Sequence, residues 1–410
     1  MRKILDGIVV LDLTRFFSGP QCTLLLAGLG AEVIKIDDPR TIDPTASAPP
    51  FVGPLGVSLH RQTEDDFGIA YLKRARNKKS MTLDLKSATG RELFLALVEK
   101  ADVVVENFSV GVTDRLDIGY EVLRKRRPDL IYCSLTGYGS SGPASSLKAY
   151  DLMIQAATGL MSITGVPGGA PVKAGSSLSD AVAGVFAANG VIAALLHRFR
   201  TGEGQAIDVS MADCLFSLIL DEPLDCYPEL GLAYQQGNRI MRFSPFNTYP
   251  ARDGWVAFGA ATDSDWTKLL EIMGREDLKT DSNIMQLGWR IKNNEYIDQI
   301  VSTWTRLNDK AEILATLEAA ALPCSPVRTI EDVMHWNHLR ERGMITPLRH
   351  PATGKELCAQ APGFPIKFSQ TPGGYEEPAP IPKAHSHELL HRFLGLDQDG
   401  LDALARQGVI

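Results

Sequence analysis

Asp180 closes the run Gly175-Ser176-Ser177-Leu178-Ser179-Asp180 and stands immediately before an apolar stretch that opens Ala181-Val182-Ala183-Gly184-Val185-Phe186. That position predicts a helix N-cap, with the carboxylate accepting hydrogen bonds from the first free N–H groups. The same placement favours the anion, because aligned peptide dipoles leave partial positive charge at a helix N-terminus. An ionised carboxylate is the form that attacks an electrophilic carbonyl, so capping and nucleophilic chemistry are compatible at this one residue.

A second feature is the basic run Lys73-Arg74-Ala75-Arg76-Asn77-Lys78-Lys79, followed by Ser80-Met81-Thr82-Leu83-Asp84-Leu85-Lys86. Such runs are usually a solvated face. Their functional alternative is an anchor for the phosphates of a soluble ligand, with lysine as point charge and arginine as fork. Arg115 and Lys148 extend the same positive set. A nicotinamide or flavin site is not expected, because Phe17-Ser18-Gly19-Pro20-Gln21 stands where a Gly-x-Gly-x-x-Gly turn would be needed; Asp37, ending the second strand, is then a feature of the fold. His197 falls in the last turn of a long helix, and His335, His338, His385, His387 and His391 lie in polar C-terminal stretches. None makes a Ser-His or Cys-His pair or has metal-ligand spacing, so no metal site is expected.

The elements that must position these groups alternate. Ile8–Leu13 is a buried-strand run, Gly19-Pro20 opens a helix that stops at Gly30, and Val33–Ile36 is a second strand. The rhythm returns with a helix at 87–100, a strand at Val103–Glu106, a helix at 119–126 and a strand at Leu130–Cys133. It implies an α/β fold with a mostly parallel sheet covered on both faces, whose ligand sites lie beyond the carboxyl ends of the strands. A long helix runs from Asp180 to Arg200, then a strand at Ile207–Ser210 and a helix at 211–220. A smaller unit holds a strand at Trp255–Phe258 and helices at 264–273, 290–304 and 309–320. Residues 40–70 and 345–383 are proline-rich and read as extended.

With 410 residues, 44% of them hydrophobic and 22% charged, the chain is long enough for two or three domains. A net charge of −7 argues against nucleic-acid binding and against a polybasic membrane anchor. Asp6 and Asp12 interrupt the basic start, so no secretory signal is expected. The apolar stretch 181–196 carries Gly184, Asn189 and Gly190 and falls short of the roughly 18 residues of a membrane span. Six cysteines without a Cys-x-x-Cys pair predict reduced thiols and a cytoplasmic protein.

Several segments, taken in order, resemble the class III CoA-transferase family, whose members include formyl-CoA transferase and the carnitine CoA-transferases. They are Leu11-Asp12-Leu13-Thr14-Arg15 with Gly19-Pro20, Leu29-Gly30-Ala31-Glu32-Val33-Ile34-Lys35-Ile36, Asn77-Lys78-Lys79-Ser80, and Val105-Glu106-Asn107-Phe108 with Arg115-Leu116. Ser134-Leu135-Thr136-Gly137-Tyr138-Gly139, Arg200-Thr201-Gly202-Glu203-Gly204-Gln205 and Leu322-Pro323-Cys324-Ser325-Pro326-Val327 complete the set. The resemblance implies that Asp180 is the catalytic aspartate and that Leu83, Lys86, Asn107, Phe108, Arg115 and Lys148 contact coenzyme A, bound as substrate with no prosthetic group. It also implies a homodimer of two interlaced rings. The expected large domain is Rossmann-like and spans 1–200, completed by helices at 384–410. A linker at 201–224, a small α/β domain at 225–330 and an extended return linker at 331–383 make up the rest.

The reaction so implied is CoA transfer through an aspartyl anhydride and an aspartyl-CoA thioester, with oxyanions held by N–H groups near Gly137-Tyr138-Gly139 or Gly168-Gly169. In the related CoA-dependent racemases a histidine precedes the aspartate where this chain has Tyr150-Asp151, and tyrosine, with a pKa near 10, replaces it poorly. Transfer is therefore favoured over racemisation, with Tyr150 lining the acyl pocket. A non-catalytic CoA-binding subunit is the other alternative. Phe17 stands where formyl-CoA transferase has a glutamine, and Arg242–Asn247 lacks its glycine run, which argues against formate or oxalate. The family's arginine after the second strand is missing at Asp38, with Arg40 nearby. Arg15 follows the first strand and fits two roles: pairing with a second carboxylate on the acyl group, as in succinate, malate, mesaconate or citramalate, or an ion pair to a neighbour or dimer partner.

Overall fold

The computed structural model describes residues 3–410. Its main sheet has six strands: β1 (Val9–Asp12), β2 (Glu32–Asp37), β3 (Lys78–Thr82), β4 (Val103–Glu106), β5 (Ile131–Thr136) and β6 (Gln205–Ser210). All pair in parallel, in the order β3-β2-β1-β4-β5-β6. Runs of Val and Ile suit the centre of such a sheet because helices cover both faces, and all four residues of β4 are buried. The strand order reverses between β1 and β4, and at such a switch point a crevice opens beyond the carboxyl ends of the strands.

Three helices bear on that crevice: α1 (Ser18–Gly28), α2 (Asp151–Ala157) and α3 (Leu178–Thr201); a fourth, α4 (Met211–Ile219), follows β6. The chain divides into two compact units. One comprises the chain up to Thr158, Ala174–Asp221 and Asn337–Ile410; the other comprises Gly159–Lys173 and Glu222–Trp336. The stretch read as a linker, 201–224, thus holds β6 and α4. The return segment 331–383 contains an antiparallel pair, Ile345–Arg349 with Glu356–Pro362. The terminal helices Ser386–Leu394 and Gln398–Arg406 put Leu389, Leu390 and Leu401 into the same core as Leu11, Ile34, Phe94 and Val104. In the second unit the antiparallel strands Phe246–Ala251, Gly254–Gly259 and Cys324–Pro326 pack with helices around Trp266, Tyr249 and Ile297. The helix expected at 290–304 is broken at Asn293 into Leu287–Lys292 and Asn294–Thr305.

Strand β3 has no counterpart in the sequence reading, since it begins with Lys78-Lys79. Lys78 is nevertheless buried, its ammonium donating to Asp12 Oδ2 (3.0 Å), Pro20 O (3.1 Å) and Thr23 Oγ1 (2.7 Å). Asp12 also accepts from Thr14 N–H (2.9 Å) and from the hydroxyls of Thr14 (2.5 Å) and Thr23 (2.6 Å). Burial alone would raise the Asp12 carboxyl, but Lys78, Lys35 and the threonines outweigh it and hold it below its ordinary range. Lys35, equally buried, is saturated by Thr14 O (2.8 Å), Asp37 (3.1 Å) and Asp43 (3.1 Å). With every charge paired and hydrogen-bonded, this network is tolerable inside a core, and it ties three strands to the start of α1.

By length and composition α3 is long and apolar enough to cross a bilayer, so the argument from a short apolar run does not hold. Its buried positions Ala183, Gly184, Ala187, Ala188, Val191, Ala194 and Leu195 recur every three or four residues and form one packed face. Gly184 lies where α3 meets α1: a Cβ there would sit 2.7 Å from Ser18 O and 2.8 Å from Gln21 Cβ. Overpacking of this kind costs about 1–3 kcal/mol, against about 1 kcal/mol that alanine gains over glycine in a helix. Gly184→Ala is therefore expected to lower the urea unfolding midpoint, and a raised midpoint contradicts the close approach.

Candidate active site

Asp180 is not the N-cap of its helix. α3 begins at Leu178, so Asp180 is the third residue of the first turn, and the side chain of the N-cap residue Ser177 makes no capping bond. The cap comes from the buried carboxylate of Asp151, the first residue of α2. Its Oδ1 accepts from Ser179 N–H (2.9 Å), the Ser179 hydroxyl (2.7 Å) and, at longer range, Asp180 N–H (3.4 Å). Its Oδ2 accepts from Gln155 Nε2 at 2.7 Å. With the cap filled from another helix, the Asp180 carboxylate feels the first residue of α1, Ser18, whose hydroxyl and N–H favour its charged form.

The carboxylate thus lies in the positive field of two helix N-termini, which favours its charged form. Burial opposes this. Burial foremost, then the charge of Asp151, raise the Asp180 carboxyl to about 6, while Arg74 and Ser18 act in the other direction. The anion remains the major form at pH 7, but it is half-buried and poorly solvated, as a carboxylate nucleophile must be to compete with water.

The segment joining β1 to α1 carries the neighbouring groups. Asn107, after β4, clamps the Arg15 backbone across the switch point, accepting from its N–H (2.9 Å) and donating to its carbonyl (2.8 Å). Phe16 has a φ of 68°, unusual for a bulky side chain and a mark of strain held in place by its surroundings. Its carbonyl accepts from Arg74 Nη1 (2.7 Å), and its ring meets Tyr150 edge-on, with centroids 5.9 Å apart. The Arg74 guanidinium lies 3.9 Å from the centroid of the Phe17 ring. Arg15 is part-buried, and its guanidinium makes no ion pair among the described residues. Its charge is felt by Asp37, whose Oδ2 has no hydrogen-bond partner among the described residues.

The residues expected to contact coenzyme A follow several strand ends. Leu83 and Lys86 come after β3, Asn107 and Phe108 after β4. Leu83 is a core side chain, and Asn107 commits its amide to Arg15. Phe108 is half-buried with its N–H on Glu106 Oε2 (2.7 Å). Arg115 and Lys148 are exposed cations with no ion pair among the described residues, and Lys86 is exposed with only a 3.8 Å approach to Asp38. Arg40 pairs with Asp38 (3.0 Å) and Asp84 (2.8 Å).

The basic run 73–79 is not one phosphate-facing patch. Lys78 is buried on Asp12, Lys79 pairs with Glu388 (2.5 Å), and Arg76 lies over Tyr375 and donates to Pro362 O (2.9 Å). Of these cations, Arg74 alone acts on the charge of Asp180. Ser18, Arg74 and Asp151 act on Asp180 in the candidate site and were not singled out from the sequence. The Pro20 start of α1 pointed to Ser18 at a helix N-terminus; nothing local points from Asp151 to a partner 28 residues away. No group of three or more His, Cys, Asp or Glu suited to a metal occurs among the described residues.

Comparison with known proteins agrees with this architecture. The profile of CoA-transferase family III matches residues 5–386. The chain is 37% identical over 393 residues to a succinyl-CoA:mesaconate CoA-transferase of Haloarcula hispanica, covering 94% of this chain and 95% of that one. It is 33% identical to a succinate–glutarate CoA-transferase of Agrobacterium fabrum, covering 94% of each. A crystal structure of a CAIB/BAIF family protein from Brucella suis superposes with a TM-score of 0.81 at 29% identity, covering 96% of this chain and all of that one. The chain belongs to CoA-transferase family III and is an enzyme of that class.

Proposed function

We propose that the enzyme moves CoA between short dicarboxylic acids, taking it from succinyl-CoA and giving it to an acid of the malate, mesaconate or citramalate type, or to a second carboxylate of the same molecule. The observation that carries the reading is the half-buried Asp180 carboxylate in the first turn of α3, relieved of capping by Asp151 and beside Ser18 and Arg74, which favour its charge. The dicarboxylate preference is supported by Arg15, whose guanidinium has no ion-pair partner among the described residues and lies three positions before Ser18. The names of the Haloarcula and Agrobacterium relatives point the same way.

In this reading an Asp180 oxygen attacks the thioester carbonyl, the C–S bond breaks, and CoA thiolate leaves a mixed anhydride. The thiolate then attacks the aspartyl carbonyl, giving the aspartyl-CoA thioester and freeing the donor acid. The acceptor carboxylate attacks that thioester and expels thiolate, and the thiolate captures the acceptor acyl group and restores Asp180. Each anhydride hydrolyses readily, so the burial that raises the Asp180 carboxyl also protects the intermediates. Lys86, Arg115 and Lys148 are exposed cations suited to the nucleotide phosphates of CoA.

The enzyme acts as a homodimer in this reading. Val185, Ile192, Leu196 and Phe199 of α3 and Phe216 and Leu218 of α4 are exposed, Phe199 to 88%, and a second copy would cover such a face. A monomeric sedimentation coefficient would count against it. The six cysteines, all unpaired, suit a reducing cytoplasm.

The substrate class is tested by steady-state transfer from succinyl-CoA to mono- and dicarboxylates. Arg15→Ala is expected to lower kcat/KM for dicarboxylates by about 10–100-fold, as loss of a charge-assisted pair of about 1.5–3 kcal/mol would, with little change for monocarboxylates. Intact dicarboxylate turnover in that variant would remove Arg15 from the pocket.

A further inference from the structure

We propose that Asp151 is a positioning residue for the Asp180 nucleophile, filling the cap of α3 from α2 so that the Asp180 carboxylate is free to face the acyl group. The inference rests on Asp180 being the nucleophile, as proposed above. A carboxylate in the first turn of a helix has an alternative to catalysis: it can fold back on the free N–H groups of its own helix, as N-capping acids do. Here the two N–H groups nearest to that role, those of Ser179 and Asp180, already donate to Asp151 Oδ1 at 2.9 and 3.4 Å. The Ser179 hydroxyl, another possible competitor for the Asp180 carboxylate, is also held there at 2.7 Å. The groups left to favour the Asp180 charge are Arg74 and Ser18 of α1.

Asp151 is itself fixed. Its Oδ2 accepts from Gln155 Nε2 (2.7 Å), and Gln155 Oε1 accepts from Ala174 N–H (2.9 Å). The residue is only 8% exposed, so its charge acts through a poorly screened medium. The charged and polar groups that act on Asp180 come from three helices: Asp151 from α2, Ser18 from α1, and Arg74 from the helix Ile69–Arg74. Asp151 is the one anion among them. It holds the first turn of α3 in place and also makes the neighbouring carboxylate harder to ionise, which keeps the nucleophile basic.

The sign of the pH effect follows. A nucleophile that must be ionised loses rate as pH falls through its pKa, so wild-type kcat for succinyl-CoA-dependent transfer is expected to decline below pH about 6. The amide oxygen of Asp151→Asn keeps the acceptor for Ser179 but removes the charge, so this variant is expected to stay active with its acid limb moved to lower pH. Asp151→Ala removes cap and charge together and is expected to lose about 10–100-fold in kcat, the usual consequence of a misplaced reacting group, with KM for the acyl-CoA within about twofold.

Asp180→Ala serves as the reference for the underlying reading. If it retains turnover, that reading and this inference fall together. If Asp180→Ala is inactive while Asp151→Ala keeps wild-type kcat, this inference alone is overturned. The same holds if Asp151→Asn shows an unmoved acid limb. Should Asp151→Ala fail to fold, the limb of Asp151→Asn decides alone, because a merely structural cap would not move it.

Discussion

A carboxylate that is to attack a thioester has to be dry enough to exclude water from an anhydride and charged enough to be a nucleophile. These demands oppose each other, since taking a carboxylate out of water costs several kcal/mol unless dipoles or charges replace its hydration. The fold answers with helix N-termini. Asp180 sits in the first turn of α3, and the hydroxyl and N–H of Ser18, the first residue of α1, favour its charged form. The compensation is incomplete, which leaves the carboxyl near 6, high enough to be basic and low enough to be ionised at neutral pH.

Several features of the large unit bear on holding α1 and α3 in that relation. The strand order places the start of α1 at the switch point between β1 and β4, where Asn107 fastens the Arg15 backbone from the far side. Beneath it, the Lys78–Asp12 pair and its threonines tie β1, β3 and the first turn of α1 into one rigid block. Above it, Gly184 lets α3 approach until backbone meets backbone. A displacement at any of these points would shift α1 or α3 and so the surroundings of Asp180.

The sheet was largely legible because β1, β2 and β4 are rich in Val, Ile and Leu and the run Leu130-Ile131-Tyr132 leads into β5, each separated by helices with ordinary start and stop residues. β3 was not: Lys78-Lys79 hides a strand whose first lysine is neutralised by Asp12, a partner 66 residues away. The break at Asn293 also has no signature that survives the surrounding helical pattern. In the candidate site, the sequence made Asp180 a helix N-cap and the family resemblance made it the nucleophile; the cap is in fact filled by Asp151. Ser177, Ser179 and Asp180 are all plausible capping residues, and a tertiary acceptor settles the competition in a way that no local pattern records. Arg74 was hidden within a basic run whose members part in different directions once folded.

If Asp180 is the nucleophile, it becomes covalently linked during turnover. This is tested most directly by mass spectrometry of the protein after incubation with succinyl-CoA, with trapping by hydroxylamine or borohydride. The account predicts a modification on the peptide containing Asp180, present in the wild type and absent in Asp180→Ala. An unmodified Asp180 in protein that is turning over succinyl-CoA would contradict it.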